Sequence, residues 1–189
     1  MSQSSKKRAV FIVPSFILIF IGIYWISSIS SENAGQAENT EKSPIDFIGT
    51  DLSGNIFKGA SLKGKTVLLD FWAVWCGPCI DAFPELNRMN TELKSENFEI
   101  IGMTLYSGTA EDVKEITDKH SPNYKILLLD NDEMSIRYDV IGFPTYFLID
   151  PDGKIYKKYV GKIGFDRIKS DVEAINSKYN DIAELRRVK

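Results

Sequence analysis

The chain has 189 residues, 43% of them hydrophobic and 12% aromatic, enough for one well-packed globular domain and too few for two comfortable ones. Its formal charge is -3, and Lys6, Lys7 and Arg8 stand among its first thirty residues with no acid, which leaves 20 bases against 26 acids for the remainder. That acidic remainder argues against a nucleic-acid-binding surface, which needs a basic face.

The first predicted element is an apolar run over residues 9–29, opening "AVFIVPSFILIFIGIYWI" without a charge. As a helix it rises about 31 Å, which matches a hydrocarbon core of about 30 Å. The apolar part of a cleavable signal peptide is shorter, about 7 to 15 residues, so a retained transmembrane anchor is expected. Ser28, Ser30, Ala34 and Ala37 offer small residues to a peptidase, and leave a secreted domain as the alternative. Pro14 lies near the start, where a membrane helix tolerates it. Lys6, Lys7 and Arg8 keep the basic tip, residues 1–8, in the cytoplasm, while Tyr24 and Trp25 fall at the outer interface. The expected localisation is therefore a single pass through the cell membrane with the catalytic domain extracytoplasmic. No cysteine follows the apolar run to carry a lipid anchor. Residues 30–43 are polar and poor in bulky side chains, a flexible linker ahead of a domain over residues 44–189.

Within that domain, "IDFI" and "NIFK" flank "GTDLSG", whose Gly and Asp predict the turn of an N-terminal hairpin. "TVLLDFW" is a continuous apolar run, expected as a strand buried on both faces. Ile80, Phe83, Leu86, Met89 and Leu93 recur at helical spacing, with a kink expected at Pro84. "FEIIGMTLY" predicts a second buried strand, and "TAEDVKEITDKH" a helix capped by Thr109. "YKILLL" is a third strand, and a short helix follows near Asn131 to Tyr138. "GFPTYFLID" and "KIYKKYV" are strands joined through the "DPDG" turn. Phe165, Ile168, Val172, Ile175, Tyr179 and Ile182 predict a final helix. The early alternation implies parallel strands with right-handed crossovers, and the late hairpin an antiparallel edge.

Both cysteines stand in "WCGPC". Cys76 falls between a buried strand and a helix start, where free N–H groups and the helix dipole favour a thiolate. It is the expected nucleophile, and Cys79, one turn on, is placed to attack a mixed disulfide from within. Pro78 near the helix start costs no hydrogen bond, and Gly77 permits close approach at the turn. A static disulfide is the plainer reading, but a two-residue loop gains little chain entropy. Structural zinc needs four ligands, whereas the chain has two Cys and one His, so no metal is expected. His120 reads as a solvated helix-end residue. Asp70 is an acid among apolar neighbours; the plainer reading is an outward-facing strand residue, and if it is buried its pKa would be raised.

"LLDFWAVWCGPC", followed downstream by "GFPT", resembles the thioredoxin superfamily. The hairpin, "LKGKTVLLDFWAVWCGPC", "FPEL", the anchor and "PTYFLIDPDGKI" resemble more closely the membrane-anchored TlpA/ResA-like thiol-disulfide oxidoreductases, over nearly all of residues 44–178. The resemblance implies an α/β thioredoxin fold, a central mixed sheet flanked by helices with an N-terminal β-hairpin extension, preceded by one transmembrane helix. It implies reduction of disulfides in exported proteins, apocytochrome c for example, with no cofactor beyond the redox-active Cys76–Cys79 disulfide and a membrane electron donor of the CcdA/DsbD type. It makes Pro144 a cis-proline against that disulfide, with Phe143 and Thr145 offering backbone contacts to a substrate chain. Trp75 then borders the active-site surface beside Gly77 and Pro78, and Trp72 supports it.

Asp70 matches the acid that in thioredoxin lies beneath the disulfide and handles the proton of the second cysteine. Many TlpA/ResA-like proteins carry instead a Glu three residues after the second Cys, a position held here by Ala82. Asp81 and Glu85 stand nearby and read as solvated. Gly-Pro between the cysteines is the dipeptide of reducing thioredoxins, which implies a reductant. Two alternatives stand beside it. One is a copper-handling thiol protein of the cell envelope. The other is a peroxiredoxin-like antioxidant, whose Pro-x-x-x-Thr-x-x-Cys pattern is missing, with Trp72 near the threonine's place.

Overall fold

A computed structural model describes residues 43–94 and 97–187. The basic tip, the anchor and all of the linker but Ser43 lie outside the described residues. Among those described, no helix is long and apolar enough to cross a membrane.

The strands are β1 (Ile48–Asp51), β2 (Ile56–Lys58), β3 (Thr66–Trp72), β4 (Phe98–Thr104), β5 (Lys125–Leu128), β6 (Thr145–Ile149) and β7 (Ile155–Val160). The helices are α1 (Gly77–Ile80), α2 (Phe83–Leu93), α3 (Ala110–His120), α4 (Asn131–Arg137) and α5 (Phe165–Arg187). The strands form one sheet in the order β2-β1-β5-β4-β3-β6-β7. β3, β4 and β5 run parallel, as the helical connections require, and every other pairing is antiparallel. This is the mixed sheet flanked by helices, with an N-terminal hairpin, that the sequence predicts.

β3 lies in the interior of the sheet, between β4 and β6, with all seven residues buried. Side chains alternate along a strand, so its odd residues point to one face and its even residues to the other. Val67, Leu69 and Phe71 join a cluster with Met134 and Tyr138 at the end of α4 and with Ile45 and Phe47 of the entering chain. Leu68 and Trp72 join a second cluster with both cysteines, Phe83, Leu86 and Met89 of α2 and Ile168 and Val172 of α5.

Three expectations change in detail. The first hairpin turns later than expected: residues 48–51 form β1, while Ile45 and Phe47 are buried ahead of it. The Asp51 carboxylate explains the shift, because it accepts from the N–H of Ser53 and of Asn55, each at 2.9 Å, and closes the turn there. Pro84 interrupts rather than kinks the helix. It sits in the first turn of α2, and without its own N–H the bond back to Ile80 is absent, which separates α1 from α2. The late hairpin does not simply add an edge: β6 pairs with β3 in the interior, and only β7 is outermost. The helix expected from Thr109 forms with a reciprocal cap, Thr109 Oγ1 accepting from Asp112 N and the Asp112 carboxylate accepting from Thr109 N.

Candidate active site

β3 ends at Trp72, and the chain turns at once: Cys76 N–H donates to Ala73 O at 3.0 Å, and Val74 N–H donates to Ser107 Oγ at 3.0 Å. Cys76 caps α1, with extended backbone, and Pro78 lies in the first turn, where no N–H is needed. The two cysteines are joined as a disulfide, Cα atoms 5.3 Å apart. Cys76 is 5% exposed and Cys79 2%. Cys79 N–H also points at Cys76 Sγ, 3.2 Å away, a donor that favours a thiolate there once the bond is reduced. Gly77 differs from expectation, because a Cβ on it would meet nothing within 4 Å. Gly77 and Pro78 are both exposed, so the space over them is open to an incoming chain rather than filled by this one.

Trp75 is 64% exposed and held from two sides. Its Nε1–H donates to Tyr106 O at 2.8 Å, and its ring meets Phe143 edge-on at 5.5 Å. That second contact brings the cysteine turn together with the proline loop. The Phe143–Pro144 bond is cis. Thr145 is fully buried, its hydroxyl donating to Gly142 O at 2.7 Å, and Pro144 O accepts from Gly161 N at 2.8 Å. The first bond closes the proline loop on itself, and the second ties it to the chain just past β7. Trp72 is fully buried, edge-on to Phe83 at 5.1 Å, in the supporting position expected of it.

Asp70 is 1% exposed. Burial pushes its carboxyl up to about 7, opposed by Tyr124, whose hydroxyl donates to Oδ2 at 3.2 Å. As an even residue of β3 it faces the cluster that contains both cysteines.

Ala82 is buried at the position where an acid was in question, and Asp81 is exposed. Glu85, expected to be solvated, is half-buried: its carboxylate accepts from Phe165 N–H at 2.6 Å and so satisfies the start of α5. His120 is also half-buried, its ring against Phe83 at 6.3 Å. Among the described residues no group of three or more His, Cys, Asp or Glu could hold a metal ion.

Tyr106, Ser107 and Tyr124 belong to the site and carry no motif. Tyr106 has φ +50°, with its N–H on Asn131 Oδ1 at 2.7 Å and its hydroxyl on Ser135 Oγ at 2.8 Å. In sequence it reads only as the end of a strand. An aromatic residue closing a predicted strand is the one trace that such a position leaves.

The AhpC/TSA family matches residues 40–158. The thiol-disulfide oxidoreductase ResA of Bacillus subtilis (strain 168) is 31% identical over 157 residues, 82% of this chain and 87% of that protein. The protein of that name from Oceanobacillus iheyensis is 26% identical over 185 residues, 95% of this chain and 96% of the relative. A crystal structure of a thiol:disulfide interchange protein of the thioredoxin family from Chlorobium tepidum TLS superposes with a TM-score of 0.62 at 25% identity, covering 69% of this chain and 92% of that one. Relatives aligned over nearly their whole length carry the chemistry that a cysteine pair at a strand-to-helix turn permits: the chain belongs to the AhpC/TSA family, as a thiol-disulfide oxidoreductase of thioredoxin fold.

Proposed function

We propose that this oxidoreductase works as a reductant, transferring electrons from the Cys76–Cys79 dithiol to disulfides of exported proteins on the extracytoplasmic side of the membrane. The observation that carries the proposal is the pairing of the disulfide at the head of α1 with a buried acid, Asp70, facing the same cluster. The reduced pair begins the reaction. The Cys76 thiolate, favoured by the Cys79 N–H, attacks one sulfur of a client disulfide, forms a mixed disulfide and releases the client's other sulfur as a thiol. Cys79 then attacks Cys76 Sγ, the client leaves with its second thiol, and the enzyme keeps the two oxidised sulfurs.

Attack by Cys79 requires loss of its proton inside an apolar cluster, and Asp70 is the group we assign to accept it. A carboxyl that titrates near neutrality matches that task better than one at the ordinary carboxylate value. Trp75, Gly77 and Pro78 border the approach, and half-buried Phe143 offers backbone to an extended client, while buried cis-Pro144 and Thr145 hold the loop that presents it. Ile141, 84% exposed just ahead of that loop, adds apolar surface for an unfolded client.

The apolar run of residues 9–29 and the basic tip support anchoring with the domain outside the cytoplasm. A domain held there needs its electrons from within the membrane, hence a donor of the CcdA/DsbD type. Apocytochrome c is one example of such an exported disulfide.

Cys79→Ser tests the order of events. The variant should accumulate a mixed disulfide between Cys76 and the client, separable under non-reducing conditions and identifiable by mass spectrometry. Absence of any adduct would contradict the assignment. A reporter fused after Lys189 should be active only outside the cytoplasm, and cytoplasmic activity would overturn the orientation.

A further inference from the structure

Sheet register sets four residues in one row across the even face: Tyr146 on β6, Asp70 on β3, Gly102 on β4 and Ile126 on β5. Paired residues of neighbouring strands project to the same side, so the row reads phenol, carboxyl, gap, isoleucine. The gap is occupied by Ile126 of the row itself and, from outside it, by Trp72 and Tyr124. A Cβ on Gly102 would stand 2.5 Å from Ile126 Cδ1, 3.2 Å from Trp72 Nε1 and 3.3 Å from Tyr124 Cε2. Contacts below 3.4 Å are tighter than ordinary packing allows, so the bare glycine is what lets these side chains close over β4. Tyr124, just ahead of β5, uses that opening to bring its hydroxyl to Asp70 Oδ2 at 3.2 Å.

We propose that Tyr124 is a positioning residue for Asp70: across the gap left by Gly102, it donates a hydrogen bond to Oδ2, fixes the carboxyl and favours its ionised form. The proposal rests on the reading of Asp70 as the proton acceptor for Cys79. A carboxylate 1% exposed has no bulk water to solvate it, so a donor on it decides how readily it ionises.

Other polar groups border the same cluster without taking this part. Tyr146 faces Asp70 from β6 and makes no hydrogen bond to it among those described. Tyr159 on β7 donates instead to Asp171 of α5 at 2.5 Å. Glu85 on α2 is engaged by Phe165 N–H, and His120 of α3 packs against Phe83. Cys76 and Cys79 approach from α1, and Tyr179 from α5. Trp72 Nε1–H, beside the gap, is buried and has no partner among the described residues. Among the described residues Tyr124 alone donates to Asp70.

Tyr124→Phe in the full chain keeps the ring that fills the gap and removes only the donor. In the oxidised protein, the Asp70 carboxyl, followed by carbon NMR, should titrate about one pH unit higher than in the wild type. In single-turnover oxidation of the reduced protein by insulin, the rate profile should move up with it. An unmoved Asp70 titration overturns the proposal. Asp70→Asn separates the two readings: it should flatten the rate profile near neutrality and remove the effect of Tyr124→Phe on that profile. If Asp70→Asn leaves the rate profile as in the wild type, the proton-acceptor role fails, whereas the carboxyl titration still decides whether Tyr124 controls Asp70.

Discussion

The odd and even residues of β3 are equally buried and differently built. Val67, Leu69 and Phe71 face a cluster that includes Tyr138, whose hydroxyl donates to Pro44 O where the chain enters the domain, and on the same face Thr145, paired with Phe71, donates its hydroxyl to Gly142 O. Thr66, Leu68, Asp70 and Trp72 face the side of the sheet that holds both cysteines, and there the strand spends three of its four side chains on polar groups: a hydroxyl donating to Asn176 Oδ1, a carboxyl with one donor and, among the described residues, an indole N–H with none. Burial of polar groups without full hydrogen bonding opposes folding. The odd face therefore explains why the sheet assembles, and the even face shows where the fold gives up stability for a titratable group beside a redox pair.

The largest effect expected from this contrast is pH dependence that resides on one face alone. Unfolded, Asp70 releases its proton near 3.8; folded, it holds it to about 7. Between those values the folded chain binds more protons than the unfolded one, so this residue makes stability fall as pH rises, by roughly 4 kcal/mol in total and with no further loss above the folded value. Asp70→Asn keeps an acceptor for Tyr124 and removes the titration. In denaturant unfolding of the oxidised protein, the stability of the variant relative to wild type should grow by roughly that amount from about pH 4 to about pH 8. A constant difference would mean that the even face is as inert as the odd one.

Leu69→Ala is the counterpart on the odd face. It leaves a void in a fully buried, close-packed cluster and should destabilise by about 3 kcal/mol, within the usual range for such truncations. The loss should be the same at both ends of the pH range, because no group on that side changes its charge with the substitution. The cysteine chemistry, measured as the rate of insulin reduction below the unfolding temperature, should stay within about twofold of wild type. A pH-dependent loss would show that the two clusters are coupled through the strand.

The contrast was partly legible in the sequence, and the reason lies in range. "TVLLDFW" announces a strand buried on both faces, and a lone acid within it announces an anomaly, because alternation and burial are properties of consecutive residues. The cysteine turn and the proline loop were readable for the same reason, as short motifs. What answers the anomaly was not readable. Tyr124 meets Asp70 across 54 positions of chain, through a gap at Gly102 that only the register of β3, β4 and β5 defines. Tyr106 reaches Trp75 across 31. The β1 boundary was misplaced because Asp51 closes its turn with a side chain, a choice that a Gly-and-Asp cluster leaves undetermined.

Glu85 gives the smallest effect and the sharpest control. Like Asp70 it is an acid on the cysteine side of the sheet, but it lies at the rim, where its carboxylate accepts from Phe165 N–H and stands 4.0 Å from Arg88. That geometry replaces one of the partners missing at the start of α5, a helix whose Phe165, Ile168, Val172 and Ile175 complete the even-face cluster. Glu85→Ala should cost about 1 kcal/mol, the usual effect of removing an acceptor from a helix start, since the ion pair with Arg88 is exposed and loosely formed. The insulin-reduction rate should be unchanged at every pH, with thermal unfolding reading the loss. If Glu85→Ala shifted the rate profile as Asp70→Asn is expected to, proton handling would have to be spread over both acids. An unshifted profile would place it on the buried one, where burial raises the carboxyl and a single donor, Tyr124, opposes that rise.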